Sequence, residues 1–298
     1  MHKYYCLVLA LLMPHAASTQ GLGLGVGLDA APLTAKAAGG GASCSQSSAF
    51  FARAGSLDTT HHNAYDALIC GLVQDTTWAT LDVLYIFATA TTTVANLNLV
   101  SSSFPITAVG APAFTVDAGY TGVDASTTIY LDTGYNFSTS AVHYQLNDAL
   151  ISEHSLAGTV SSSSGGTVIG AYDGTNLTQV APDYPGPLAF ININETSASS
   201  SDATSLGATG QYIGVRSAGG PQSYYNGVVI TGGVTGTLGA VVNLSAYILA
   251  RHNTGGAGSG SANQVAEVSI GGSLAAANVA NLYNRVCTYI KAVHGGSC

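Results

Sequence analysis

The chain has 298 residues, which is enough for one large β domain or two domains of ordinary size. Only 7% of its residues are charged, and the formal net charge is −8, with seven lysines and arginines scattered along the sequence. That distribution excludes the basic face with which nucleic-acid-binding proteins contact phosphates. So few charges among many Gly, Ser, Thr and Asn residues favour stacked sheets, oligomeric contacts or an assembled particle.

The N-terminal segment has two interpretations. MHKYYCLVLALLMPHAAS combines a basic start, an apolar run and small residues at Ala16 to Ser18, which is the layout of a secretory signal peptide. The apolar run is too short to span a bilayer as a helix, and it is equally typical of a hydrophobic arm that packs into an assembly. Residues 19–48, with GLGLGVGL and KAAGGGAS, are predicted to be a Gly-rich linker. Residues 1–48 are therefore assigned to a signal peptide or assembly arm plus this linker.

Residues 49–95 are predicted to form a helical segment. Capping-type residues at Asp58 to Thr60 precede a run with helical spacing. The apolar residues of this run are Tyr65, Leu68, Ile69, Leu72 and Val73. A second short helix, capped by Asp75 or Thr76, is predicted to complete an N-terminal helical pair. Its apolar face consists of Trp78, Leu81, Leu84 and Tyr85.

From residue 96 the periodicity changes to that of β-strands. Runs such as AFTVD, TTIYLDTGY, LAFININ and AEVSIGG are separated by clusters of Gly, Ser, Asn and Asp, without helical patterns between them. Asn226-Gly227 in SYYNGVVI predicts a type I′ hairpin. Many short antiparallel strands at this spacing predict an all-β sandwich or jelly roll, which we assign to residues 96–298.

The chain is predicted to end in an amphipathic helix. Ser273 is a candidate N-cap, and Gly295-Gly296 stops the helical pattern. The apolar face of this helix steps by four and three through Val279, Leu282, Val286, Ile290 and Val293.

Several segments between Ala49 and Val293, kept in order, carry a resemblance. They include NAYDALICGLVQDTTWATLDVLYIFAT, PAFTVDAGYTGVDASTTIYLDTGYN, YYNGVVI, AYILARHNTGG and AEVSIGGSLAAANVANLYNRVCTYIKAV. The chain resembles a group of largely uncharacterised phage and prophage structural proteins, tail or decoration proteins with a concanavalin A-like (laminin G-like) jelly-roll domain. The resemblance implies a concanavalin A-like jelly-roll sandwich in which YYNGVV is a hairpin, AYILARH a core strand and LAAANVANLYNRVCTYI the closing helix.

The five cysteines match no zinc-binding spacing and include no CxxC motif. Cys44 with Cys70, or Cys287 with Cys298, can form disulfides in an oxidising compartment. The odd count, which includes Cys6, argues against a complete disulfide framework. Unpaired and partly buried thiols are the interpretation that we favour.

Catalytic groups are the next question, because concanavalin A-like folds include glycosidases. Such an enzyme needs two carboxylates that flank the sugar bond, whereas Glu153, Glu195 and Glu267 are each isolated in the sequence. No G-x-S-x-G motif marks a nucleophilic serine. We therefore predict no catalytic residue and no enzymatic activity.

Metal and cofactor sites are likewise not predicted. His61-His62 have only Asp66 as a partner at helical spacing, which favours a capping or exposed role over metal binding. DAGYTGVD, from Asp117 to Asp124, departs from the EF-hand pattern and lacks its closing Glu, which favours a Gly-rich turn over a calcium site.

Aromatic residues are the candidate ligand-binding groups. The 16 tyrosines and one tryptophan supply flat apolar faces of the kind on which sugar rings stack. The candidates are Tyr224 and Tyr225, which flank the hairpin turn, and Tyr184 in DYPGP. Sheet packing and interface burial are the competing roles, because strand alternation lets only one of Tyr224 and Tyr225 face the core.

The composition and the resemblance together predict a non-enzymatic structural component of a phage particle, in its tail, fibre or capsid decoration, with weak affinity for glycans. Its predicted location is the virion, and its predicted partners are other copies of itself, other virion proteins and surface glycans, without nucleic acid or a stable membrane span. One alternative is a secreted lectin-like carbohydrate-binding protein whose leader is cleaved near Ala17 or Ser18. A further alternative is a diverged glycosidase that uses Glu153, Glu195 or Glu267.

Overall fold

The computed structural model describes residues 43–159, 166–184, 188–196, 202–204, 206–231, 236–296 and 298. The predicted signal peptide or arm, and most of the predicted linker, lie outside these residues. The described residues fold into three layers, which are a layer of helices, sheet A and sheet B. The two sheets pack face to face, so the predicted all-β sandwich is confirmed at this level.

Four α-helices and one 3₁₀ turn lie within the described residues. In chain order they are α1 (Ser45–Ala54), α2 (Thr59–Gln74), the 3₁₀ turn (Trp78–Thr80), α3 (Thr92–Ala95) and α4 (Ala276–His294). α1 begins inside the segment predicted to be linker, whereas α2 is the helix predicted from the apolar spacing. Asp58 caps α2 as predicted, because its side chain accepts a hydrogen bond from the His61 backbone N–H at 3.0 Å.

Sheet A lies next to the helices and is antiparallel. In spatial order its strands are β13 (Val228–Val229), β12 (Gly220–Tyr225), β11 (Gly210–Ser217), β6 (Ala149–Ala157), β17 (Gln264–Gly271), β4 (Gly119–Thr121) and β3 (Ala113–Thr115), and β1 (Leu81–Ile86) also pairs with β17. The turn between β12 and β13 has Asn226 and Gly227 at φ 50° and 76°. A type I′ turn requires positive φ at both positions, so the predicted hairpin is confirmed.

Sheet B forms the other layer of the sandwich. In spatial order its strands are β10 (Asp202–Thr204), β9 (Leu188–Thr196), β8 (Asn176–Tyr184), β7 (Ile169–Tyr172), β14 (Ser245–Ile248), β5 (Tyr130–Asn136) and β2 (Thr107–Val109). β15 (Arg251–Asn253) follows β14 closely, runs parallel to β7 and pairs with β16 (Gly256–Gly258). The short β14–β15 connection places the side chains of both strands beside the end of β7.

Sheet A is buried on both faces. One face meets sheet B across a core that includes Val83 and Tyr85, and the other meets the helices across a second core that includes Leu84 and Ile86. All six residues of β1 are therefore buried. A strand that is buried on both faces lacks polar alternation, and its apolar run also fits helical spacing. For this reason the prediction of a second helix over Trp78 to Tyr85 is wrong, and the predicted helical pair is replaced by α1 and α2.

α4 closes the helical layer over sheet A. Its predicted apolar face is confirmed, since Val279, Leu282, Val286 and Ile290 are buried there. Gly295 ends the helix in the left-handed conformation, as predicted. The predicted N-cap is wrong, because the Ser273 hydroxyl donates to Asp148 Oδ1 at 2.6 Å, and Ala275 occupies the cap position.

Four of the five cysteines form disulfides, Cys44 with Cys70 and Cys287 with Cys298. The Cα atoms of the two pairs lie 5.6 Å and 5.4 Å apart. The interpretation of these residues as free thiols is therefore wrong, and the disulfides indicate a protein that matures in an oxidising, extracellular or secretory environment. None of the described helices has the length and apolar character needed to cross a membrane.

Candidate functional site

A row of three aromatic rings crosses the outer face of sheet B. Leu131 on β5 and Ala246 and Ile248 on β14 enter the core between the sheets. Because side chains alternate along a strand, Tyr130 and Tyr247 point to the opposite face. The ring centroids of Tyr130 and Tyr247 are 4.3 Å apart with planes inclined by 19°, and those of Tyr247 and His252 are 3.9 Å apart and parallel within 1°. We call Tyr130, Tyr247 and His252 the aromatic row.

The central ring is buried by its neighbours and the outer rings are not. Tyr247 is 8% exposed, whereas Tyr130 and His252 are half-buried. Burial raises the pKa of Tyr247, and the hydroxyl of Tyr130 and the charge of Asp132 raise it further. Tyr247 therefore stays a neutral phenol that supports the two outer rings and can donate a hydrogen bond.

Polar groups border the row on the β5 and β14 side. His252 Nδ1 lies 2.9 Å from the carbonyl oxygen of Ser245, which only accepts, so Nδ1 carries a proton that it donates to this oxygen. The Ser245 hydroxyl donates to Asp132 Oδ1 at 3.4 Å. Asp132 Oδ1 also accepts from the backbone N–H of Gly134 at 2.9 Å, which fixes the position of the carboxylate.

A cationic group lies on the part of sheet B formed by β7 and β15. The Arg251 guanidinium carbon lies 5.2 Å from the centroid of the Tyr172 ring. Arg251 Nε donates to Asn253 Oδ1 at 2.8 Å, and Nη1 donates to Gln179 Oε1 at 3.2 Å. The outer face of sheet B thus combines aromatic rings with a carboxylate, an imidazole and a planar cation.

The predicted ligand-binding tyrosines lie elsewhere. Tyr224 is 6% exposed and packs in the core between sheet A and the helices. Tyr225 is half-buried, its ring centroid lies 4.9 Å from that of Tyr212, and its hydroxyl donates to the Thr209 carbonyl. Tyr184 ends β8 in the other sheet, and its side chain lies outside the described residues. Tyr224 and Tyr225 face opposite sides of sheet A, and the role of all three tyrosines in ligand binding stays a prediction.

The three glutamates of the glycosidase alternative are fully buried. Glu195 pairs with Arg216 at 3.0 Å. Glu267 accepts hydrogen bonds from Ser152 Oγ and Gln211 Nε2, both at 2.9 Å, and burial raises its pKa to about 7. Glu153 lies on the opposite face of sheet A from Glu267, because its strand partner Val268 enters the core between the sheets. None of these three carboxylates opens onto a surface where a sugar can bind.

The predicted metal candidates have structural contacts. His61 is buried, and its ring nitrogens lie 2.6 Å from Asp58 Oδ2 and 2.8 Å from Asp117 Oδ1. His61 therefore links the start of α2 to the turn before β4 from a buried position, whereas His62 is exposed. Asp117 has a φ of 61°, which suits a tight turn. Among the described residues, no group of three or more His, Cys, Asp and Glu side chains is arranged to hold a metal ion.

The sequence alone offered only a weak signal for the aromatic row. TTIYLDTGY alternates Tyr130 and Asp132 with core residues, and AYILARH contains both Tyr247 and His252. Their meeting depends on the pairing of β14 with β5 and on the reversal between β14 and β15. Tyrosines beside predicted turns are therefore not the residues that form the row.

No protein-family model matches this chain, and no curated protein matches it. Several solved structures are similar in fold. One is domain 4 of AbnA, a GH43 extracellular arabinanase from Geobacillus stearothermophilus, in complex with arabinotriose, at 16% identity and a TM-score of 0.45 over 68% of this chain and 98% of that chain. Another is Trypanosoma rangeli sialidase in complex with sialic acid, at 10% identity and a TM-score of 0.47 over 69% of this chain and 33% of that chain.

A third similar structure is the binding domain of Paraclostridial Mosquitocidal Protein 1, at 10% identity and a TM-score of 0.45 over 68% of this chain and 52% of that chain. These likenesses concern the fold and carry no argument about a ligand. They do overturn one expectation. The prediction that the chain is not an enzyme is corrected, because chains of similar fold include sialidases and part of an arabinanase, so this architecture is no ground for excluding catalysis.

Proposed function

We propose that this protein binds carbohydrates on the outer face of sheet B and that its sandwich is of the concanavalin A-like class. The observation that carries the proposal is the aromatic row, in which two half-buried rings flank the buried ring of Tyr247. A sugar ring has C–H groups on its faces and hydroxyls around its edge. It therefore needs a flat apolar support next to directional polar groups.

The polar groups around the row meet the second requirement. Asp132 accepts hydrogen bonds, and its carboxylate is held by Gly134 and Ser245. The Nδ1 proton of His252 is directed at the Ser245 carbonyl, so Nε2 is the ring nitrogen left for a polar contact with a ligand. The row is also fixed before a ligand arrives, since Tyr247 is held between two stacked rings, and this reduces the entropy lost on binding.

Substitution of the row tests the proposal. The wild type is screened on a glycan array, and the affinity for the strongest ligand is measured by isothermal titration calorimetry for Tyr130→Ala and His252→Ala. We expect each substitution to weaken binding about tenfold, the equivalent of about 1.4 kcal/mol. Tyr283→Ala, which removes a half-buried tyrosine from α4, is the matched control and should bind like the wild type. Unchanged affinity in both row variants would show that the row is not the site.

The place of the protein in a phage particle is a separate part of the proposal. It is supported by the sequence resemblance to phage structural proteins, and we propose that the glycan-binding face is carried on the particle surface together with other virion proteins. The two disulfides are compatible with an exported virion and with the alternative of a secreted lectin-like protein.

Mass spectrometry on density-banded particles separates these two locations. Peptides at fixed stoichiometry in the particle band, with an N-terminal peptide that begins at or next to Met1, would support a virion component. Protein that stays in the soluble fraction and begins near Ser18 or Thr19 would support the secreted alternative. Neither result depends on whether the aromatic row binds sugar.

A further inference from the structure

A cleft of about 290 Å³ lies between two loops at residues 100–104 and 140–143, beside the start of β1. Its lining combines apolar and polar residues, which are Leu81, Val100, Phe104, Val142, Asp82, His143, Ser101, Ser103 and Ser140. Val142 is 72% exposed and stands at the rim. The cleft uses none of the residues of the aromatic row.

One wall of the cleft is held by a buried carboxylate. Asp82 is 8% exposed, and its oxygens accept hydrogen bonds from the backbone N–H groups of Val142, His143 and Tyr144 at 3.3, 2.9 and 3.0 Å. The Tyr135 hydroxyl donates to Asp82 Oδ2 at 2.7 Å. Hydrogen bonds to a charged group are stronger than those between neutral groups. The carboxylate thus fixes the path of the loop that carries Val142 and His143.

The opposite wall is held by a guanidinium group. Arg53 donates to the carbonyl oxygens of Asn98 and Ser101, both at 2.7 Å, and to that of Leu99 at 2.8 Å. The Asn98 side chain, which is 1% exposed, accepts from the Val100 N–H at 3.0 Å and donates to the Ser103 carbonyl at 3.2 Å. Both loops are therefore shaped by internal charged and amide groups before any ligand arrives.

The two charged groups that shape the walls already have hydrogen-bond partners within the protein. Asp82 has hydrogen-bond donors at both oxygens, and Arg53 is directed at three carbonyls. Asp82 is part of the lining, but both of its oxygens already accept hydrogen bonds from within the protein. The polar residues that remain for a ligand are three serines and His143, beside an apolar wall with Phe104. Hydroxyl groups both donate and accept, which matches the hydroxyls of a neutral sugar better than a charged ligand, which would require a free counter-charge.

We infer that this cleft is a second saccharide site, which binds a single neutral sugar residue. Its volume of about 290 Å³ suits a small ligand, since pockets for drug-sized molecules start at roughly 300 Å³. Pre-shaped loops lower the entropic cost of binding. The inference stands on different residues from the aromatic row, so either site can fail without the other.

The test uses the methyl glycosides of glucose, galactose, mannose and N-acetylglucosamine as probes. Binding to the full chain is measured by calorimetry for the wild type, for His143→Ala, and for Ser103→Tyr, which fills the cleft from an exposed position. We expect at least one probe to bind the wild type, His143→Ala to weaken it about tenfold, and Ser103→Tyr to abolish it. His294→Ala, which replaces an exposed histidine at the end of α4, is the control and should leave this binding unchanged.

A second measurement uses only the wild type, so it does not require that any variant folds. In NMR titrations of the wild type, the bound probe should shift the amide signals of residues 140–144, whether or not those of residues 245–253 also shift. Failure of every probe to bind, unchanged affinity in both cleft variants, or shifts confined to residues 245–253 would overturn the inference. The last result would at the same time support the aromatic row as the site.

Discussion

The outer faces of the two sheets differ in what covers them. On sheet A the outward residues Leu84, Ile213 and Ala266 are apolar and form a core with the helices. On sheet B the outward residues of β5 and β14 are aromatic and polar, with Tyr130 and Tyr247 next to Asp132 and Ser245. Both sheets contribute their inward residues to one core. The difference in the outward residues makes one sheet a platform for helices and leaves the other with a surface suited to a ligand.

The largest expected effect comes from weakening the contact between α4 and sheet A. Leu282 is fully buried in that core. Leu282→Ala should lower the free energy of unfolding by about 2–5 kcal/mol, because it removes buried methyl groups and leaves a cavity. Urea denaturation followed by circular dichroism measures the loss. Thr288→Ala on the exposed side of the same helix is the control, with an expected change within about 0.5 kcal/mol. Equal losses in the two variants would mean that α4 is not held by its apolar face.

Glu267 tests the comparison of the two sheets, because it is a buried carboxyl group on the helix-facing side of sheet A, where the residues named above are apolar. Burial raises its pKa from 4.5 to about 7, so the folded state keeps a proton that the unfolded state releases. The contribution of Glu267 to stability is therefore fully present below about pH 4.5 and is lost as the pH rises to about 7, a change of about 3 kcal/mol. Glu267→Gln stays neutral and should not show this loss.

The measurement is the difference in unfolding free energy between wild type and Glu267→Gln at several pH values from 4 to 8. His154 has the opposite effect, because burial lowers its pKa to about 4 and stability falls as the pH drops below its unfolded value of 6.5. His154 is the strand partner of Glu267, so its contribution cancels in the difference only above about pH 6.5, where its ring is neutral in the folded and unfolded states alike. A difference that does not change with pH would show that Glu267 does not hold its proton in the folded state.

The smallest expected effect is on sheet B. Tyr247→Phe keeps the stacked ring but removes a hydroxyl that interacts with Tyr130. Because a hydrogen bond contributes about 1 kcal/mol net, the free energy of unfolding should fall by no more than about that amount. Urea denaturation gives the value. A loss above about 3 kcal/mol would mean that the outer face of sheet B acts as a core like that of sheet A, which would break the comparison.

Sequence reasoning succeeded where a local pattern and a local structure coincide. Asp58 before an apolar helical repeat predicted the start of α2, Asn226-Gly227 predicted the hairpin, and Gly295 predicted the end of α4. It failed at β1, where burial on both faces removed the alternation by which a strand is recognised. It also failed for Ser273, because Asp148, 125 residues away, binds its hydroxyl.

The sequence by itself determined the β-rich class, the amphipathic helices and the turns, because these depend on residues within a few positions of each other. Only the tertiary structure decided which cysteines pair, which face of each sheet is covered, and that Tyr130, Tyr247 and His252 meet in one row. The physical reason is that these contacts join residues of different elements, and only the packing of those elements brings the residues together. Tyr130 and Tyr247 meet across more than a hundred positions through strand register, and the disulfides join cysteines 26 and 11 positions apart. A shift of the β14 register by one residue would turn Tyr247 toward the core and would turn core residues of β14 toward the outer face.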